Sequence, residues 1–138
     1  MNKEDKELLL QDICARFPYY FVVEYEGGIY SIENINYYGG VQLINCNHSV
    51  PFYEVKPYLR PLSSMTEKDN LSLAKYVGCR VRAQDGEIYF PNIDDNILPN
   101  WEKAFTWFRL NRFDYNDLCK KGLAIAITED NNPYKTID

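Results

Sequence analysis

Metal-binding and membrane-spanning patterns are missing from the sequence. It contains one histidine, His48, and its four cysteines include no C-x-x-C pair, whereas a structural zinc site needs about four such ligands. No window approaches the roughly 20 apolar residues of a membrane span, and the charged start is not followed by the apolar run of a signal peptide. These absences predict free thiols, no metal, no cofactor, no membrane contact and a cytoplasmic location.

Positive charge is missing from one long stretch. Residues 17–55 contain no Lys or Arg, and the net charge of the whole chain is -5. This balance argues against a protein that coats duplex DNA by neutralising phosphates. It predicts instead a dipolar molecule with an acidic sheet region and a slightly basic remainder over residues 56–121. The acids of the sheet region are Glu24, Glu26, Glu33 and Glu54.

Catalytic signatures are missing too. The Gly-Gly pairs at 27–28 and 39–40 read as hairpin turns rather than phosphate-binding loops, because no helix with a lysine follows them. A Cys/His nucleophile pair would need Cys46, Cys79 or Cys119 beside His48. The remaining acids lack the spacing of a calcium loop and read as solvated charge; they are Asp85, Glu87, Asp94 and Asp95. We therefore predict no catalytic residue and no enzyme activity.

Tyrosine is abundant by contrast. Aromatic residues make up 15% of the 138 residues and include 12 Tyr. Because a tyrosine packs like an apolar residue but presents a hydroxyl, such a surplus indicates exposed rings on a binding face. The alternative is that many of these rings are half-buried on sheet faces, where aromatic residues are favoured.

The hydrophobic pattern predicts a single α+β domain over residues 1–138, with one shared core. Its first part is an amphipathic helix over 3–17, stopped by Pro18. A small antiparallel sheet then occupies a β-rich segment, 17–55. We predict strands over 21–25, 29–32 and 41–44, with an edge strand over 51–55.

A crossover over 55–66 joins this sheet to a helix-rich segment, 67–127. Pro57 and Pro61 predict that the crossover runs extended but not within a central strand. The second half is predicted to hold helices after the caps Thr66, Asn100 and Asp114. It also holds a hairpin around 84–86, an acidic loop over 91–99 and a doubly buried strand over 123–127. A polar tail, 128–138, is predicted to be frayed.

One candidate binding patch lies on the predicted helix that follows Asn100. Trp101, Ala104, Phe105 and Phe108 fall on its apolar face, and Trp107 lies off that face. Trp107 could therefore be exposed beside Arg109, Arg112 and Tyr115, as a patch suited to protein hot spots or base stacking. The alternative is that Trp107 is buried and that the arginines pair with Asp114 or Asp117.

A second candidate patch consists of tyrosines beside the cation-free stretch. Tyr19, Tyr20, Tyr37 and Tyr38 are predicted to cluster at strand ends. Such a surface could meet a basic partner by charge complementarity, for instance the nucleic-acid-binding groove of a host protein, and so act as an acidic decoy. Half-buried packing on the sheet is the alternative.

Three blocks of the sequence carry a resemblance: VKPYLRPLSSMT at 55–66, FDYNDL at 113–118 followed by GLA at 122–124, and LLLQDICARFP at 8–18. The blocks cover about a quarter of the chain. Together they resemble a family of small uncharacterised proteins encoded by phages and prophages of anaerobic gut bacteria. The resemblance implies a protein from a mobile element that acts inside a bacterial host cell.

Three functions are weighed. The leading hypothesis is a non-catalytic binding protein of phage or prophage origin that acts through protein-protein contact, as a modulator or inhibitor of a host protein. Binding of a nucleotide or single-stranded nucleic acid by Trp107, Arg109, Arg112 and Tyr115 is the alternative, and a small enzyme is the third. Steep loss of affinity with salt would favour nucleic acid over a protein partner.

Overall fold

The protein has an α+β fold, as predicted. The computed structural model describes residues 1–36, 38–79, 81–84, 87–89 and 100–135. Over these residues the helices are α1 (Lys3–Arg16), α2 (Glu67–Val77) and α3 (Trp101–Leu110), with 3₁₀ turns at Phe52–Glu54 and Leu62–Ser64. The strands are β1 (Val22–Tyr25), β2 (Gly28–Ile35), β3 (Gly40–Leu43), β4 (Ser49–Pro51), β5 (Lys56–Pro61), β6 (Arg82–Gln84), β7 (Glu87–Tyr89), β8 (Phe113–Asp114) and β9 (Ile125–Ala126).

The chain divides into two compact units. The first comprises residues 1–59 and 116–138, and the second comprises residues 60–115. In the first unit the strands are ordered β4-β3-β2-β1-β5. Neighbours in this series are antiparallel, and β9 adds a parallel pair to β5. The sheet is therefore mixed. The predicted edge strand over 51–55 is wrong in place: β4 ends at Pro51 and a 3₁₀ turn follows.

Helix α1 begins at a side-chain cap and carries an ion pair on its buried face. The Asn2 side chain accepts a hydrogen bond from the Asp5 backbone N–H at 2.7 Å. Leu9 and Ile13 are fully buried in the main apolar cluster of the first unit. Arg16 Nε donates to Asp12 Oδ1 at 2.5 Å, and Asn116 Nδ2 donates to Asp12 Oδ2 at 2.8 Å. The pair thus joins the helix to the segment after residue 115.

Strand β5 corrects the prediction that its two prolines exclude a central position. Pro57 pairs with Val23 of β1, next to the Glu24–Lys56 pair. Pro61 pairs with Asp114 of β8 at the end of a short parallel ladder. Between them Arg60 N donates to the Arg112 carbonyl at 2.7 Å. Each proline therefore stands at the end of a ladder, where its missing donor costs least.

Buried apolar side chains form separate clusters rather than the single core that we predicted. The first unit has a large cluster between α1 and the sheet, which includes Leu59, and a small one made by Val22, Tyr58 and Tyr134. Residues of the second unit form another cluster, in which Leu62, Leu73 and Phe108 take part. Tyr58, Leu59 and Leu62 are all buried, as predicted for the crossover.

In the second unit, helix α2 has the predicted ends. Thr66 and Asp69 form a capping box, and Gly78 closes the helix with a φ of 85°, a left-handed conformation that favours glycine. The antiparallel β6–β7 hairpin is present as predicted; its turn residues 85 and 86, like the acidic loop 91–99, lie outside the described residues. Asn70 of α2 accepts a hydrogen bond from the Ala83 N–H at 2.8 Å, which attaches the hairpin to the helix.

The prediction of a helix-rich second half is wrong: over the described residues of 67–127 the structure has two helices, α2 and α3, and four short strands, β6 to β9. Residues after Asp114 do not form a helix: Phe113–Asp114 is strand β8, and turns follow. The backbone excludes a helix here, because Arg112 and Asp117 both have positive φ angles, 61° and 56°. Phe113 and Asp114 are buried, so pairing with β5 replaced the capping role predicted for Asp114.

Residues 128–135 of the tail predicted to fray are anchored by one aromatic side chain; residues 136–138 lie outside the described residues. Tyr134 is only 2% exposed. Its hydroxyl accepts a hydrogen bond from the Val22 N–H at 2.9 Å and donates one to the Tyr58 carbonyl at 3.0 Å. Nearby, β9 is shorter than the strand predicted over 123–127, and Ile125 and Ile127 are half-buried.

We expect Arg16→Met to lower the free energy of unfolding by about 3–5 kcal/mol, because it leaves the Asp12 carboxylate buried without its cation. Urea denaturation measures the loss. Lys3→Met is the matched control on the same helix: Lys3 and Glu7 have the same spacing, but both side chains are exposed, so the expected loss is at most about 0.5 kcal/mol. Equal losses in the two variants would contradict a stabilising role for the buried pair.

We expect Tyr134→Phe to cost about 1–3 kcal/mol, because it removes the hydroxyl that pairs with two buried backbone groups. Tyr76→Phe removes the hydroxyl of an exposed ring and should change stability by less than about 0.5 kcal/mol. Both values come from urea denaturation. If Tyr134→Phe is as stable as Tyr76→Phe, the hydroxyl does not anchor this segment.

Candidate functional site

Trp107 is buried, so the predicted exposed patch on α3 is wrong at its centre. The side chain is 4% exposed. Its ring stacks on Phe113 with centroids 5.5 Å apart, and Nε1 lies 3.4 Å from Ser72 Oγ. A ring enclosed in this way has no free face for a nucleobase. The alternative weighed from the sequence, a structural tryptophan, is the one observed.

The error has a geometric cause. The buried residues of α3 are Ala104, Trp107 and Phe108, which fit the i, i+3, i+4 spacing of one helix face. The predicted face began one turn earlier, at Trp101, and that residue is 42% exposed. Both stripes share Ala104 and Phe108, and helical spacing alone does not choose between the two tryptophans.

The exposed aromatic surface of α3 is built around Trp101 instead. Trp101 stacks on Phe105 with centroids 5.8 Å apart, and Phe105 contacts Tyr115 at 5.1 Å. Arg109 Nε donates to the Tyr115 hydroxyl at 2.9 Å, and Arg109 Nη1 lies 3.5 Å from Glu102 Oε1. The structure thus brings Arg109 and Tyr115 together, as the predicted patch required.

The electrostatics of this pair point to an internal role for Arg109. Burial lowers the pKa of the guanidinium, but the hydrogen bond and charge of Tyr115 and the charge of Glu102 outweigh burial, so the pKa is raised. The predicted partners of the arginines were Asp114 and Asp117, whereas Arg109 contacts Glu102 and Tyr115. Arg112 is half-buried, and its carbonyl accepts the Arg60 N–H.

Tyr38 is 91% exposed, the highest value among the large hydrophobic side chains described in the first unit; Tyr37, the other predicted binding residue of this stretch, lies outside the described residues. The turn that carries Tyr38 is fixed by Asn36, whose Oδ1 accepts the N–H groups of Tyr38 and Gly40, both at 2.9 Å. A shallow groove of about 350 Å³ runs from Tyr38 to Phe52 and Tyr53. Lys6 lies over the Tyr53 ring at 4.4 Å, so a cation already occupies that ring.

A second groove, which we call the aromatic groove, lies where the chain leaves α1. It has a volume of about 340 Å³. Tyr20 is 48% exposed beside it and meets Tyr134 edge-to-face at 6.0 Å. Phe17 and Ile44 are exposed as well. Its described lining consists of Phe17, Pro18, Tyr19, Tyr20, Phe21, Ser31, Ile32 and Ile44.

Sequence reasoning found the tyrosines of the aromatic groove but missed Phe17 and Ile44. The predictions placed Phe17 within the first helix and Ile44 in a strand. The usable signal was Pro18, which ends the predicted helix at Phe17; in the structure Phe17 is the C-terminal cap of α1 and is 39% exposed. Ile44 follows the last residue of β3, where the alternation of buried and exposed side chains no longer holds.

Cys46 lies beside His48, as a Cys/His pair would require. The Sγ and Nδ1 atoms are 3.9 Å apart on an exposed turn. Over the described ranges no group of three or more His, Cys, Asp and Glu side chains is placed to hold a metal ion. Of the acids considered from the sequence, Asp85, Asp94 and Asp95 lie outside those ranges, and Glu87 accepts a hydrogen bond from the Tyr89 hydroxyl at 2.7 Å.

Comparisons with protein-family models, with curated proteins and with solved structures found no match. The resemblance to phage and prophage proteins therefore stays a prediction. Within the part of the chain that the structure describes, no helix is long and apolar enough to cross a membrane. Function has to be argued from the surfaces themselves.

The two tryptophans give a direct test of the placement on α3. Trp101→Phe leaves only Trp107, which should fluoresce at shorter wavelength and resist quenching by acrylamide, because its ring is buried. Trp107→Phe leaves only Trp101, which should be quenched readily; this variant should also lose about 1–3 kcal/mol of stability from disturbed core packing. The opposite pattern of quenching would restore the patch predicted from the sequence.

Proposed function

We propose that this chain is a non-catalytic binding protein that holds a protein partner in the aromatic groove. The observation that carries the proposal is the exposure of Phe17, Tyr20 and Ile44 around one concave surface. Large apolar and aromatic side chains that converge on a cleft are typical of binding hot spots. The described residues that line the groove all belong to the first unit.

The chemistry of the lining supports binding rather than catalysis. Among the described residues that line the groove, the only polar side chains are the hydroxyls of Tyr19, Tyr20 and Ser31. A general acid or base in an enzyme is most often a histidine or a carboxylate placed within hydrogen-bond reach of the substrate. Those hydroxyls can instead orient a partner by hydrogen bonds at the rim of an apolar contact.

Charge indicates which partner fits. The cation-free stretch from 17 to 55 carries four glutamates, and none of the ion pairs found over the described residues uses any of them. Their negative potential reaches neighbouring phenols: burial and then Glu24 raise the pKa of Tyr58, and burial followed by Glu26 and Glu54 raises that of Tyr25. A basic segment with an apolar anchor would complement both the charge and the groove.

The nucleic-acid alternative loses the features on which it depended. Trp107 was to stack a base, and it is buried. Arg109 was one of the cations of the predicted patch, and it is paired with Glu102 and hydrogen-bonded to Tyr115. In the setting that the resemblance implies, the partner would be a host or phage protein with a basic surface, which this chain would block or modulate.

Selection from a random peptide library tests the proposal. The enriched peptides should combine Lys or Arg with at least one large apolar residue. A synthetic peptide with an enriched sequence is then titrated with each variant, and its binding is measured by fluorescence anisotropy. It should bind Tyr20→Ala and Ile44→Ser at least about tenfold more weakly than the unchanged protein, because each variant removes an anchor contact. Tyr76→Ala, which removes an exposed ring of the second unit, should bind unchanged.

Three results would overturn the proposal. The first is that no peptide is enriched, and the second is that the enriched peptides are acidic. The third is that Tyr20→Ala and Ile44→Ser bind as well as the Tyr76→Ala control. A labelled oligo-thymidine run in parallel addresses the alternative, since tight binding that falls steeply with salt would favour nucleic acid.

A further inference from the structure

The turn between β3 and β4 holds two reactive side chains in fixed positions. Cys46 N donates to the Leu43 carbonyl at 3.2 Å. The Gln42 side chain donates to the carbonyls of Cys46 and Leu43, at 2.7 and 3.2 Å. Asn45 adopts a left-handed conformation with a φ of 68°, which Asn tolerates better than most residues. Cys46 also packs against the main apolar cluster, so the backbone that carries its thiol is anchored from two sides.

The imidazole of His48 is the group that faces this thiol. Sγ and Nδ1 are 3.9 Å apart, and His48 is exposed. His48 is the only histidine of the chain, and residues 17–55 contain no Lys or Arg. The imidazole is therefore the one side chain of that stretch able to carry positive charge near neutral pH.

The phenol of Tyr25 interacts electrostatically with Cys46, and the charges of Glu26 and Glu54 act on the same phenol. Negative neighbours in general disfavour a thiolate, whereas an adjacent base that takes up the thiol proton favours it. The geometry places the imidazole of His48 to accept that proton.

We propose that Cys46 and His48 form a thiol–imidazole pair that reacts with small-molecule disulfides, so that Cys46 is a site of reversible thiolation. His48 accepts the thiol proton, and the Cys46 sulfur attacks one sulfur of the disulfide. A new S–S bond forms at Cys46 as the S–S bond of the reagent breaks. The other half of the reagent leaves as a thiolate and takes up the proton from His48. Cys46 is oxidised to a mixed disulfide, and the leaving half is reduced to a thiol.

The other cysteines serve as internal comparisons. Cys14 is exposed as a residue, but partial burial of its thiol raises the pKa of that thiol, which lowers its thiolate fraction at neutral pH. The Cys119 sulfur lies 3.9 Å from the Leu59 carbonyl oxygen, which can accept a hydrogen bond from the thiol but cannot act as a base and remove its proton. Cys79 is half-buried at the end of α2, packed against the apolar cluster of the second unit.

To test this, the full chain is treated at pH 7 with a limiting amount of dithiobis(nitrobenzoic acid), which releases a coloured thiolate when a cysteine reacts. A second series uses oxidised glutathione instead. Peptide mapping by mass spectrometry assigns the modified cysteine. Cys46 should be modified first, and His48→Gln should slow its modification roughly tenfold, because the neighbouring base is gone. Asn47→Ala changes the same turn but keeps the imidazole, so the Cys46 rate should be unchanged.

Two outcomes would overturn this inference. Cys46 could react no faster than Cys14, which is exposed to solvent. Alternatively, His48→Gln could match the Asn47→Ala control, which would mean that exposure alone sets the rate. Because the aromatic groove contains neither Cys46 nor His48, failure here leaves the proposed binding function standing, and the reverse also holds.

Discussion

Strand β5 imposes the constraint on which the rest of the structure depends. Between Tyr58 and Leu62 the chain supplies one large side chain to each apolar cluster, since Tyr58, Leu59 and Leu62 belong to three different ones. Pro57, just before this segment, and Pro61, within it, cannot donate to a ladder. The strand therefore changes partner along its length, from β1 at Pro57 to β9 at Tyr58 and Leu59, and to β8 at Arg60 and Pro61. Short ladders of two pairs are the consequence, and they require β8 and β9 to be short as well.

Elements with local signals were predictable from the sequence, and elements made by distant pairing were not. The ends of α2 could be read from Thr66 and Gly78 because a capping box and a left-handed glycine act over a few residues. Strand β8 is different. Asp114 followed by a helix-compatible stretch indicates a cap, and nothing local announces that residues 113–114 pair with β5, more than 50 residues earlier. Tertiary pairing then outweighs weak helix propensity, as it commonly does in short segments.

The candidate surfaces show the same division. Composition correctly indicated rings at the surface, and Tyr20 and Tyr38 are exposed. It could not rank the two tryptophans, because a helical stripe that starts at Trp101 and one that includes Trp107 differ by a small rotation of α3. Packing against Phe113 decides the matter, and that ring is placed by the unforeseen strand β8. The pairing of β8 with β5, which the sequence did not predict, therefore accounts for two wrong predictions: the helix after Asp114 and the exposure of Trp107.

The distribution of ion pairs separates two kinds of charged surface. In the second unit, Arg60, Arg82 and Arg109 each form an ion pair of 3.1 to 3.5 Å with a carboxylate of the same unit. These carboxylates largely neutralise the positive charges of the arginines. The glutamates of 17–55 have no such counterpart among the described ion pairs, and their potential extends into solvent to about a Debye length, roughly 8 Å at physiological salt. Affinity at the aromatic groove would then come mainly from the exposed apolar side chains that line it, which a partner would bury, while the glutamates select among partners and speed their approach.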